Sequence, residues 1–341
     1  MPAIDADSLR TLAQQVLEAA GSPPEPATAV AEHMINANLA GHDSHGVQLI
    51  PNYLAGIREG RVVPSVRPTI VQEQPTAALV SGNWGFGQVS ANFAMDTAIR
   101  KAKDVGVAVV GTVQCNHIGR LGEYPTRAAA QGVASLITSG NLNRTGSVAP
   151  FGGSKGALST SPMAWGFPAG ARPPFLLDFA TSVIAGGKVD VALAKGEPLP
   201  EGAAFGPDGQ PTTDPAVLRQ GGSLRPFGGH KGYGLSLVVG LFGGILTHAD
   251  SHATEGATGV FILAIDAGLF GPSEAVGRTV DKAFGRIKAT PPAEGFDEVL
   301  ISGETELRSR KQRLRDGIPI PEDTWDALRQ TANDLGVAVA A

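Results

Sequence analysis

The sequence predicts an α/β fold. Three observations carry that expectation: an apolar, β-branched run at 106–113 (GVAVVGTV), a second strand-like run at 133–139, and a helical stretch over 124–131 between them. Strand, helix, strand is the α/β unit. Ligands of such sheets bind outside the carboxyl ends of the strands. His117 follows the first strand and Ser139-Gly140-Asn141 ends the second, so both fall where a site is expected.

The remaining elements follow in order. Asp5 to Ala20 reads as an amphipathic helix, with Leu9, Leu12, Ala13, Val16 and Ala20 on one face and Gly21 as its stop. Pro23, Pro24 and Pro26 restart the chain, and a second helix is predicted over 27–40. A short helical segment ends near Gly60, and strands follow at 69–72 and 77–80. Gly82, Gly85 and Gly87 make a turn before a helix over 89–105. Phe175–Leu177 is a short strand delivering Asp178, and 189–195 reads as a helix. Residues 197–222 are rich in proline and glycine and too long for a simple connection, so they read as a functional excursion. Leu235–Leu246 is predicted to be a core helix, 259–265 a strand, and 322–335 a last helix between Pro321 at N1 and Gly336 at C′.

Composition narrows the function classes. In 341 residues, 42% are hydrophobic and 17% charged, as in a folded globular chain. The net charge of −5 offers no nucleic-acid footprint. The basic run Arg308, Arg310, Lys311, Arg313, Arg315 reads as a solvated helix face, with a polyanion site as the alternative. No stretch approaches a membrane span and no leader pattern opens the chain, so a cytoplasmic location is expected. Cys115 is alone, which excludes an internal disulfide. The 45 glycines suit a chain that wraps a large polar ligand closely.

Gly41-His42-Asp43-Ser44-His45-Gly46 concentrates two histidines, a carboxylate and a hydroxyl where a helix has just ended. Histidine exchanges protons near neutrality, which suits general acid/base work. A plain helix C-terminus, with Gly41 at C′, is the alternative. Pro150-Phe151-Gly152-Gly153-Ser154-Lys155-Gly156 recurs as Pro226-Phe227-Gly228-Gly229-His230-Lys231-Gly232. Two such loops could cradle phosphates, although neither has P-loop spacing, and two tight turns of similar composition remain open. No G-x-G-x-x-G follows a strand, so a bound dinucleotide would not sit in a standard Rossmann fold. Asp178 suits a ribose hydroxyl or a helix N-cap. His248, Asp250, His252 and Glu255 resemble a metal cluster but read better as a polar loop.

GHDSHGV (41–47), NHIGRLGEY (116–124), PFGG (150–153), LSTSPMAWGFP (158–168), FLLDFATSVIAGGKV (175–189), DGQPTTDP (208–215), PFGGHKGYGLSL (226–237), SGETE (302–306) and DGIPIPEDTW (316–325) occur in one order over essentially the whole chain. Together they resemble the malate/L-lactate dehydrogenase family, nearest its bacterial hydroxycarboxylate dehydrogenases. The resemblance implies an L-sulfolactate dehydrogenase-like α/β fold: a non-Rossmann NAD(P)-binding sheet with N- and C-terminal helical elements. It divides the chain into a helical segment, 1–60, packed with 305–341, and an α/β region, 61–304, with the excursion near 197–225. Hydride would pass between NAD or NADP and a small 2-hydroxy or 2-oxo acid. No metal is implied.

By the same resemblance, His45 is the acid/base, Ser44 a relay partner, and Asp190 a candidate to complete the relay. His117, Ile118, Gly119, Arg120 and Leu121 form a cofactor loop, with His117 beside nicotinamide or substrate. Ser139, Asp178, Phe179, Ala180 and Lys188 line the cofactor. His230, Lys231, Gly303 and Glu304 close over it, and Thr160 meets the substrate. The family is typically a homodimer. One departure stands out. Leu49 occupies the position where many members carry a carboxylate-gripping arginine. Arg120 or Arg144 is then the substitute, or the substrate is more apolar. Reduction of a cyclic imine acid by the same geometry, a metal-dependent hydrolase using His42, His45 or the His248/His252 pair, and a non-catalytic dinucleotide binder are the rival readings.

Overall fold

The computed structural model describes residues 1–143, 146–252 and 258–339. Arg144 and Glu255 lie outside the described residues. Seven strands form the central sheet: β1 (Thr69–Gln74), β2 (Ala77–Ser81), β3 (Val107–Cys115), β4 (Val133–Ser139), β5 (Met163–Phe167), β6 (Phe175–Phe179) and β7 (Thr258–Asp266). Their spatial order is β1-β2-β3-β7-β4-β5-β6, and only the β2–β3 pair is parallel.

β3 and β4 both pair antiparallel with β7, which sits between them, so they point the same way. β5 begins at that edge, where Met163 lies opposite Thr138, and β6 ends there, with Phe179 opposite Met163. One rim of the sheet therefore gathers Cys115, Ser139, Met163 and Phe179. The strand–helix–strand unit expected from sequence is present, but a late strand has been threaded through its middle.

The helices are α1 (Ala6–Ala19), α2 (Pro24–Leu39), α3 (Ile50–Arg58), α4 (Gly87–Val105), α5 (Glu123–Ala129), α6 (Gly186–Lys195), α7 (His230–Gly240), α8 (Ser273–Lys288), α9 (Glu304–Asp316) and α10 (Glu322–Asp334). Asp5 caps α1, accepting the N–H groups of Asp7 and Ser8 at 3.1 and 2.9 Å. α2 begins three residues before the predicted start. Pro24 and Pro26 fall in its first turn, where no intrahelical N–H donor is needed, so they do not delay it. Gly41, at φ +85, turns the chain out of α2.

Two cores result. One packs α1, α2 and α3 against Ile318, Ile320, Leu328 and Ala332 near the C-terminus. The other lies between the sheet and α4 and α5, around Met95, Tyr124, Ile137 and Ile262. The 197–222 excursion, with the adjoining Ser223–Leu224, is ordered into a three-stranded antiparallel sheet and a short helix, and Leu199, Leu218 and Leu224 share a smaller core with Val148, Leu158 and Val189.

The stretch predicted as a core helix, 235–246, departs most from expectation. It is the end of α7 followed by a π-helical turn at Leu241–Leu246. Leu241, Phe242, Ile245 and Leu246 are 47, 41, 52 and 60% exposed. Apolar composition identifies a face that needs covering but not the surface that covers it. On the neighbouring sheet face, Trp165 and Phe167 are also exposed.

Candidate active site at the sheet edge

The 42–47 loop is held from two sides. From α2, Asn38 Nδ2 donates to Asp43 Oδ1 at 2.7 Å, and Asn38 Oδ1 accepts the Val47 N–H at 3.0 Å. From α9, Arg313 Nη1 and Nη2 reach the two Asp43 oxygens at 2.6 and 3.0 Å, the bidentate fork that fixes geometry as well as charge. A Cβ at Gly46 would fall 2.1 Å from Asn38 Oδ1, so only glycine fits there. His42 also meets α9, with its Nε2 3.5 Å from Glu306 Oε1.

This bracing presents Ser44 and His45. The Ser44 Oγ lies 3.0 Å from His45 Nδ1. A hydroxyl both donates and accepts, so it can accompany either tautomer of the ring. The rings of His45 and His117 stack with centroids 5.8 Å apart and planes 22° apart. Burial, then the nearby His42 and Arg120, push His45 down to about 4. His117 is exposed as a residue at the rim, yet enough protein surrounds its imidazole that burial and His45 push it to about 4 as well. Both imidazoles are neutral at pH 7. A neutral His45 is a base.

His117 arrives at the end of β3. Asn116 pins that end, its Nδ2 donating to the carbonyls of Arg61, Trp84 and Gly85 at 3.0, 3.0 and 2.9 Å. Ile118 and Leu121 are buried in the sheet core. A Cβ on Gly119 would meet His33 Nε2 at 2.3 Å. The loop then delivers Arg120, whose Nε stands 3.4 Å from Asp178 Oδ2 with both side chains largely buried. The Asp178 oxygen also accepts the Gly122 N–H at 2.7 Å. Burial pushes the Asp178 carboxyl up, which Arg120 and the Gly122 N–H only partly offset. Nε and Nη2 of Arg120 lack a hydrogen-bond partner among the described residues. An under-satisfied buried cation is a receptor for an anion.

Other predicted residues share this rim. Ser139 Oγ is 2.9 Å from Thr258 Oγ1. The Thr160 carbonyl accepts the Thr181 N–H at 2.9 Å, and buried Ser161 beside it adopts φ +40. Phe179 meets Phe227 edge-on at 5.6 Å, which ties the strand end carrying Asp178 and Ala180 to the second glycine-rich loop. The two echoing loops line one cavity of about 550 Å³, together with Arg225. Gly228 and Gly229, at φ +56 and +62, lead into α7 without a side-chain cap, with Lys231 exposed and His230 edge-on to Phe151. Bare backbone at a helix start, with cations beside it, fits a polyanionic cofactor.

Some predicted residues are placed apart. A Cβ on Gly187, at the start of α6, would lie 2.4 Å from the Ser44 Cβ, so this helix touches the 42–47 loop. Its Lys188 is exposed, and Asp190 pairs with Arg219 rather than with Ser44 or His45. Gly303 packs on Leu176, and Glu304 pairs with Lys288 while accepting the Ile301 N–H at 3.1 Å. Among the described residues no group of three His, Cys, Asp or Glu side chains could hold a metal, and no helix is long and apolar enough to cross a membrane.

Sequence reasoning missed Tyr53 and Gln88. The Tyr53 hydroxyl is 3.0 Å from His117 Nδ1, and Gln88 Nε2 donates to it at 2.6 Å. A glutamine in the first turn of a helix whose neighbours are apolar was the available signal.

Residues 4–329 match the family model described as malate/L-lactate dehydrogenase. The chain is 38% identical to L-sulfolactate dehydrogenase of Methanocaldococcus jannaschii, over 95% of this chain and 94% of that one. Malate dehydrogenase from Entamoeba histolytica superposes with a TM-score of 0.94 at 28% identity, covering 100% of this chain and 99% of that one. Delta1-piperideine-2-carboxylate reductase from Pseudomonas syringae pvar. tomato superposes at 0.85, also 28% identical, over 97% and 100%. Matched nearly end to end by sequence and by fold, this chain is an oxidoreductase belonging to the malate/L-lactate dehydrogenase family.

Proposed function

We propose that the protein transfers hydride between NAD or NADP and a small 2-hydroxy or 2-oxo acid, with His45 as the acid/base. The carrying observation is the His45–His117 pair, neutral and braced, with the Arg120 guanidinium close enough to lower His45. The nicotinamide, when bound, supplies or takes the hydride. In oxidation, a ring nitrogen of His45 takes the hydroxyl proton while Ser44 holds the other nitrogen. In reduction the same proton returns to the carbonyl oxygen. Arg120 receives the substrate's acid group, and binding that anion favours the imidazolium needed for reduction. Thr160 lines the substrate side.

The echoing loops, with Lys231 and the bare α7 start, hold the cofactor's phosphates. Ser139, Asp178, Phe179, Ala180 and Lys188 line its path, and Gly303 and Glu304, which pack on Leu176 and Lys288 in this structure, close over it. The exposed apolar stripe at 241–246, with Trp165 and Phe167, supports a homodimer.

Leu49 is half-buried and packs on the N-terminal core. It offers no charge to a second acid group, and the likeness to a piperideine-carboxylate reductase favours one further reading, reduction of a cyclic imine acid. Absorbance at the nicotinamide band across pyruvate, oxaloacetate, phenylpyruvate and a cyclic imine acid separates the two. Oxidation of NADH or NADPH by a 2-oxo acid supports the first reading. Oxidation by the imine alone replaces it with the second.

A further inference from the structure

We propose that Tyr53 and Gln88 are positioning residues that hold His117 as the neutral tautomer with its proton on Nε2, aimed as a hydrogen-bond donor at the substrate's reacting oxygen. The inference rests on the functional reading above, in which the reacting oxygen meets His45, the ring that His117 stacks against.

Gln88 Nε2 donates to the Tyr53 hydroxyl at 2.6 Å, and that hydroxyl is 3.0 Å from His117 Nδ1. A phenol has one proton to give. With the Gln88 amide occupying a lone pair of the oxygen, the phenol proton is directed at Nδ1. A nitrogen that accepts carries no proton of its own, so the ring's single proton sits on Nε2.

The supporting residues are buried. Gln88 is fully buried, and Tyr53, 8% exposed, lies edge-on to Phe86 at 6.4 Å. Burial pushes the phenol well up, so Tyr53 keeps its proton at any working pH. His117 itself is exposed, and among the described residues no hydrogen bond takes its Nε2. A donor locked from behind and open in front is preorganised for charge that develops on an oxygen.

The arrangement also divides labour between two rings 5.8 Å apart. Two imidazolium ions would repel at that distance. A fixed neutral His117 leaves His45 as the ring that gains and loses a proton.

The test is nitrogen NMR of histidine side chains in the full chain, with His117 assigned from the resonances lost in His117→Asn. It is paired with steady-state kinetics. In wild type His117 carries its proton on Nε2. Tyr53→Phe keeps the packing but removes the proton that Nδ1 accepts. It should give a mixture of tautomers and lower kcat about tenfold, with KM for the cofactor unchanged. In Gln88→Glu a carboxylate accepts the phenol proton, which should move the ring proton to Nδ1 and lower kcat similarly.

A wild-type His117 protonated on Nδ1 would overturn the proposal. So would a Tyr53→Phe enzyme with an unchanged tautomer, or one with an altered tautomer and an unchanged kcat. The NMR measurement needs no substrate. Failure of the wild type to turn over any acid counts against the functional reading, and the tautomer then decides the Tyr53–Gln88 assignment by itself.

Discussion

Arg120 Nε and Asp178 Oδ2 stand 3.4 Å apart, their side chains 7% and 9% exposed, at the rim where β6 ends. The pair joins the loop that follows β3 to the strand carrying Asp178. It leaves Arg120 with donors unspent. Arg120→Lys keeps a charge beside Asp178 but loses the planar fork. KM for the acid substrate should rise about tenfold, with a smaller change in kcat and unchanged cofactor affinity. Unchanged KM would remove Arg120 from substrate binding.

The Ser44 hydroxyl, 3.0 Å from His45 Nδ1, is predicted to contribute to proton transfer without being indispensable. Ser44→Ala should lower kcat about tenfold in both directions, since water can replace the hydroxyl only in part. Stopped-flow nicotinamide absorbance checks this, and a change confined to KM would contradict the relay.

His33, on α2, is 3% exposed. Burial, then Arg120 and the other histidines, push it from 6.5 to about 3. Between those values the unfolded chain holds a proton on this ring and the folded protein does not. Stability therefore falls as pH drops from 6.5 toward 3 and is fully retained above 6.5. His33→Leu should remove one proton's share of that slope, about 1.4 kcal/mol per pH unit, in urea unfolding followed at several pH values. An unchanged slope would mean that His33 is protonated in the fold.

The stripe Leu241, Phe242, Ile245, Leu246 is predicted to be covered by a second copy of the chain. Light scattering should find a dimer, and Phe242→Asp with Leu246→Asp should shift it toward monomer. A monomeric wild type at micromolar concentration would contradict the assignment.

How much of this was legible in the sequence follows from how local each feature is. GHDSHG is contiguous, so its histidines were visible as a unit, and Gly41 at a helix end was readable from residue type. β3 and β4 were visible as apolar runs, but nothing local signals that β7 enters between them. The Tyr53–Gln88–His117 chain was hidden because its members lie on two helices and a strand end, with no shared periodicity. The 235–246 segment was misjudged because apolarity reports a need for burial, not the partner that supplies it. Asp190 followed the family resemblance and not any spacing in this chain, and its pairing with Arg219 depends on a helix packing that the sequence does not display.

The most direct test of the central claim compares wild type with His45→Ala at the nicotinamide absorbance band, using each cofactor with the acid that wild type turns over. The variant should lose at least about a hundredfold in kcat, with NADH or NADPH still bound at wild-type affinity. A His45→Ala enzyme that retains its rate would contradict that claim.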